Sequence, residues 1–294
     1  MSHSHILIGE GSNPVQPVVR HISPSDLYQA LARGIDDFMA MPSHAVFLCV
    51  IYPILGIFLV AFTLDNSLLP LVFPIAAGFA LLGPVAAIGL YELSRRREAG
   101  LDSTSTHAFE VRHSPSLPAI IALGVLLMAI FLVWIAVAEA VYIANFGYHG
   151  PGTLQEFAHN VLFTPAGWTM IVVGTGIGFL FAVAVLTIGA ISFPLLLDRD
   201  VGAAVAVATS IRVVAANPST MALWGLIVAA LLFVGSIPFF IGLTVVMPVL
   251  GHATWHLYRK AVEPDTNPRP DFKPRERTPR SAADFPAALF PTRR

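Results

Sequence analysis

The chain has 294 residues, of which 55% are hydrophobic and only 12% charged, whereas a soluble domain carries about 25% charged residues. Too few polar groups exist to cover its surface in water, so its solvent is a bilayer. A formal net charge of −1 gives no nucleic-acid footprint and no field for a strongly acidic partner, and the lone Cys49 excludes an intrachain disulfide.

Residues 1–22 form a polar, flexible arm, without the apolar core of a signal peptide. Its His3 and His5 are expected on a bare tail. The stretch SPSDLYQALARGIDDFMAMP then opens with Ser23 as a cap, Pro24 in the first turn and Asp26 three residues after the cap. Leu27, Leu31, Ile35, Phe38 and Met39 recur at helical spacing opposite Gln29, Arg33 and Asp36–Asp37. The spacing predicts an amphipathic helix near 24–40. Lying on the membrane surface and packing on other cytoplasmic segments both remain open for it.

Six apolar segments follow, near 45–63, 71–91, 117–143, 166–197, 220–235 and 237–257. A spanning helix needs about 20 residues. The first four reach that length, while the last two share one run split by GSIP at 235–238. That break suits a tight hairpin, since one continuous helix would extend about 57 Å. The sequence therefore predicts an all-α polytopic membrane protein, with six transmembrane helices arranged as three hairpins. A second cytoplasmic helix, rich in Ala and Val, is expected near 200–216 and packed inside protein. The membrane domain runs over 23–261, and the Pro-rich segment 262–294 is expected to be a disordered cytoplasmic tail.

Charge sets the orientation. Arg20 and Arg33 precede the first apolar segment, and Arg95, Arg96, Arg97 and Arg112 follow the second. Arg199 and Arg212 follow the fourth, and the remaining Lys and Arg lie from Arg259 and Lys260 onward. The three alternate connections hold none. This positive-inside pattern puts both termini in the cytoplasm, with Arg95–Arg97, Arg259 and Lys260 as topology anchors.

Thin repeats accompany the hairpins. AMPSHAVFLCVI and ANPSTMALWGLI align with a shift of 176, and Pro115–Ser116 precedes the third segment. Each hairpin is expected to enter through Pro-Ser, with Ser capping the incoming helix. The repeats run parallel, whereas inverted repeats are the better pointer to alternating access.

Buried polar groups are where chemistry is expected, because charge inside a bilayer is costly. Glu139 lies in the third segment between Trp134 and Tyr142. It is either a transport or proton site, or an interfacial residue in the aromatic belt. Glu92 is a second such site, or simply a partner of the adjacent arginines in an exposed pair worth little. His252 and His256, four apart, can place two imidazoles on one metal, with His44 as the third candidate ligand. Trp255, Tyr258, Arg259 and Lys260 around them instead mark a helix leaving the bilayer, so no metal, haem or other cofactor is expected. GTGIGF at 174–179 lies inside an apolar segment, follows no strand and lacks the nucleotide-loop spacing. Its Gly174 and Gly178 allow close helix approach, within the bundle or between copies. Pro53, Pro84, Pro194 and Pro248 are expected to bend their helices.

Three stretches carry a family resemblance: LARGIDDFMAMPSHAVF, YELSRRREAG and FPLLLDRDVGAAVAVATSIRVVAANPSTM. With them, the span from about 23 to 260 resembles an uncharacterised family of bacterial integral membrane proteins, domain of unknown function 2189. The resemblance implies the bacterial cytoplasmic (inner) membrane and brings no activity or catalytic residues. Three functions follow as expectations. The first is a non-enzymatic protein of assembly, scaffolding or envelope homeostasis, partnered by lipid, other membrane proteins or itself. The second is a transporter or channel for a small solute, and the third a His-based metal or haem redox protein.

Overall fold

The computed structural model describes residues 16–41, 69–79, 83–148 and 152–265, with positions 50, 54, 56–58, 61 and 81. Most of the first apolar segment, His44, the residues before 16 and the tail beyond 265 lie outside them.

The described chain is helical. Helix α1 (Pro24–Ala40) starts as its sequence dictates: the Asp26 carboxylate accepts the Ser23 backbone amide at 3.0 Å and the Ser23 hydroxyl at 2.8 Å. A 3-10 turn (Leu69–Leu71), α2 (Val72–Phe79), α3 (Gly83–Ala86) and α4 (Ile88–Glu98) occupy the second apolar segment. The expected continuous span is thus a series of short helices. Pro74 and Pro84 lack the amide that would continue the ladder. A 3-10 helix (Ser105–His113) leads into α5 (Leu117–Phe146), which ends at Gly147 with φ 76°. Next come α6 (Leu154–Phe163), α7 (Pro165–Gly189), α8 (Ser192–Asp198), α9 (Ala203–Ala216), α10 (Pro218–Ser236) and α11 (Leu243–Ala261).

Three helices are long and apolar enough to cross a membrane: Leu117–Phe146, Pro165–Asp198 and Pro218–Ser236. They correspond to the third, fourth and fifth expected spans. The sixth, α11, fails because its second half carries His252, Thr254, His256, Arg259 and Lys260.

Burial is uneven along these helices. One end of the bundle is a dense layer built from α1, α4, the first turns of α5, α8, the inner face of α9, the start of α10 and the second half of α11. Its largest buried side chains are Trp224, Trp255, Tyr91, Tyr258 and Phe193. A smaller cluster of Leu71, Trp134 and Ala138 joins α5 to the Leu69–Leu71 turn further along. Away from these the long helices are bare, as helices facing lipid are.

Residues 18–22 and 261–263 meet in the dense layer, so the described part of the expected flexible arm is held in place. Val19 and Val262 form an antiparallel bridge, Arg20 N–H donates to the Ala261 carbonyl at 2.8 Å, and Glu263 N–H donates to Val18 at 3.0 Å. Asn217 ties the same strand-like stretch to α10: its side-chain oxygen accepts Ile22 N–H at 2.8 Å and its amide donates to the Arg20 carbonyl at 3.1 Å. The second Pro-Ser entry differs from expectation. Asn217 stands at the cap and Pro218 opens the helix, which leaves Ser219 inside the first turn. Ser116 does stand at the α5 cap position, without a side-chain cap bond.

Candidate functional site

The amphipathic helix α1 lies along α11, not free of the bundle. Leu27, Ala30, Gly34 and Asp37 form its buried stripe, spaced three, four and three residues. At the closest approach a Cβ on Gly34 would stand 2.7 Å from Ala253 N and 2.8 Å from the Val249 carbonyl. Only glycine lets the two backbones come this near.

One turn further the stripe delivers a carboxylate. Asp37 is 4% exposed and accepts three contacts from two other helices. His256 Nε2 donates to Oδ2 at 2.8 Å, the Ser94 hydroxyl donates to the same oxygen at 2.6 Å, and Arg97 binds Oδ1. His252 Nδ1 reaches Ser94 Oγ at 2.7 Å. Burial alone would raise the Asp37 pKa. The hydrogen bonds from His256 and Ser94, with the Arg97 guanidinium, instead hold it at about 2.

Donor counting fixes the tautomers. An ionised Asp37 takes the only Ser94 proton, so His252 Nδ1 must carry hydrogen and donate to Ser94 Oγ. His252 Nε2 and His256 Nδ1 are buried without a hydrogen-bond partner. Both rings turn their bonded nitrogens toward the Ser94–Asp37 pair. Among the described residues no group of three or more His, Cys, Asp or Glu side chains is placed to hold a metal ion, and His44 lies outside them. The cluster is not a nucleophilic triad either. Its serine donates straight to the carboxylate, where a triad places an imidazole between the two. As a proton path it is poor, because Asp37 at a pKa of about 2 holds a proton too weakly to relay one. What it does is join α1, α4 and α11 through the buried Asp37 carboxylate, which Arg97 reaches from a part-exposed position.

Further clamps extend the lock. Trp255 Nε1 donates to Glu98 at 2.9 Å, and Arg259 pairs with the same carboxylate at 3.1 Å. The Tyr258 hydroxyl donates to Asp198 at 2.5 Å, and Lys260 meets Asp26 at 3.2 Å. His252, His256, Trp255 and Tyr258 were expected where a helix meets water. They are buried instead, because α1 folds over that face of α11. Glu92 does pair with its neighbouring arginines, through two 2.8 Å bonds to Arg95, but the pair is not exposed: Glu92 is wholly buried. Arg96 pairs with Glu110 at 2.8 Å. Glu139 is half-buried in α5, away from the locked layer. The glycine pair acts inside the bundle: a Cβ on Gly178 would meet the Trp134 ring at 2.9 Å, and one on Gly174 the Val141 side chain at 4.0 Å.

Asp37, expected on the polar face with Asp36, is buried instead, because it falls on the 27–30–34–37 stripe that packs on α11. Ser94 was not singled out from sequence and carried no signal there.

Comparison with known proteins agrees with this architecture. Residues 72–198 match the model of a family described as "Predicted integral membrane protein (DUF2189)". Of the three stretches carrying the resemblance, YELSRRREAG lies within that match, while the α1 stretch lies outside. No curated protein and no solved structure matches the chain. The described residues have an all-helical fold with three helices long and apolar enough to cross a membrane, in keeping with the match to a predicted integral membrane protein.

Proposed function

We propose that this is a non-enzymatic protein of the bacterial cytoplasmic membrane that holds a partner protein on its cytosolic layer. The observation that carries the reading is a stripe of Tyr28, Ile35 and Met39 on α1, 44% to 75% exposed. It lies on the side of α1 turned away from the lock. The helix is fixed on its inner face and apolar on its outer one, and the polar groups of the layer are spent on clamps instead of lining a substrate site. Every Lys and Arg up to residue 265 lies at the end of the bundle that holds this layer, which supports its placement in the cytosol together with both termini.

The test is a photo-reactive amino acid at Tyr28 or Met39 in the full chain, with Ile35→Asp as the disrupting variant. A discrete protein adduct, lost with Ile35→Asp while the membrane level stays normal, is the expected result. Adducts to lipid alone, or an adduct unaffected by Ile35→Asp, would overturn the reading.

A further inference from the structure

The last two helices raise a question of depth. Gly34 sits against Val249 and Ala253 of α11, and its neighbours Arg33 and Asp36 are exposed. A charged pair exposed at this level puts water at the depth of residue 253. Only residues 243–252 of α11 then remain for the hydrocarbon, about 15 Å at 1.5 Å per residue. On α10, Trp224 is still inside the dense layer, so residues 225–236 add about 18 Å. A bilayer core is about 30 Å thick. By the same measure α5 beyond Leu127 rises about 28 Å and α7 before Val185 about 30 Å. The two long helices cross, but the hairpin is half as tall.

Its tip is built for oil. Ile237, Phe239 and Ile241 project at 63% to 79% exposure. The Ser236 hydroxyl donates back to the Leu232 carbonyl at 2.8 Å. The turn's amides are spent internally: Ile237 to Val234, Phe239 to Ile237, Phe240 to Ser236, Ile241 to Pro238 and Leu243 to Phe240, all at 2.9–3.3 Å. Non-helical backbone within hydrocarbon must satisfy itself in this way. Phe239 and Phe240 hold φ of 49° and 63°, a region where water-facing turns use Gly or Asn. Large rings are kept there at the expense of strain. At the neck, a Cβ on Gly242 would lie 2.7 Å from the Gly235 carbonyl, which lets the two helices close tightly beneath the tip.

We infer that α10 and α11 form a re-entrant hairpin, whose Ile237–Phe239–Ile241 tip contacts lipid acyl chains near the bilayer midplane and does not reach the far surface. The inference is independent of which partner the cytosolic layer holds.

Cysteine accessibility tests it in the full chain, reconstituted in phosphatidylcholine vesicles, on a Cys49→Ser background. Ile241→Cys and Ile237→Cys probe the tip, both outside the two strained positions. Tyr148→Cys, 88% exposed beyond the end of α5, marks the far surface. A charged maleimide should modify Tyr148→Cys from one side. In intact vesicles it should modify the tip cysteines, from either side, at roughly a tenth of that rate or less, with reaction restored in detergent. A nitroxide at 241 should collide with oxygen far more often than with a nickel chelate. Modification of Ile241→Cys and Tyr148→Cys at equal rates from the same side would overturn the inference, as would dominant nickel collisions.

Discussion

At the scale of single residues, Asp37 is where most of the buried polar chemistry converges. Replacing it by Ala leaves the Arg97 guanidinium, a His256 N–H and the Ser94 hydroxyl without an acceptor in a nearly closed site. Arg97, its side chain 40% exposed, can turn to water, but each buried donor left without an acceptor costs about 1–3 kcal/mol, so Asp37→Ala should lower the melting temperature in detergent. Asp37→Asn keeps an acceptor oxygen for His256 and should cost less. The two also differ in pH response. The folded pKa of about 2 lies below the unfolded value of about 3.9. The stabilisation is therefore complete above about pH 4 and is lost as pH falls toward 2. Thermal scans between pH 6 and 3 should show wild type losing stability at the acid end, while Asp37→Asn changes less. Equal slopes would show that the carboxylate is not the titrating group.

At the scale of elements, what sequence could say depended on whether a pattern was local. The Ser23–Asp26 start of α1, the amphipathic 24–40 helix and the 117–146 span were legible because caps and apolar runs act within a turn or two. The short helices of the second segment were not legible, where one span was expected. The docking of α1 on α11 was not legible, since it brings together residues more than 200 positions apart. Gly34 was the one trace of it, a glycine inside a helical pattern where Ala has the better propensity. That close approach makes a second prediction. Gly34→Ala gains up to about 1 kcal/mol of propensity. It also pushes a methyl to 2.7 Å from Ala253 N and 2.8 Å from the Val249 carbonyl, backbone atoms that cannot rotate away. Overpacking costs about 1–3 kcal/mol, so the variant should be less stable than wild type and more open to protease in α1. A stabilised Gly34→Ala would mean that the two helices are not held at this distance.

At the scale of the whole molecule, the same arginines serve two ends with different tolerance. Orientation depends on the sum of Lys and Arg on one side, and that sum is redundant: without any one of Arg95, Arg96 or Arg97 there remain Arg112, Arg199, Arg212, Arg259 and Lys260. Packing depends on each individually. Arg96 is 8% exposed and pairs with Glu110 at 2.8 Å between α4 and the Ser105–His113 turn, while Arg97 holds Asp37. Arg96→Ala should therefore separate the two roles. Reporter fusions after Tyr148 and at the C-terminus should keep their wild-type pattern, the first on the far side and the second cytosolic. Stability in detergent should fall by about 1 kcal/mol, since the Glu110 side chain is 33% exposed and part of its charge is already in water. An inverted reporter pattern would mean that this one arginine sets the insertion, and unchanged stability would mean that Glu110 finds water without it. The expected split follows from range. Insertion reads charge summed over whole connections, whereas the dense layer reads it ångström by ångström.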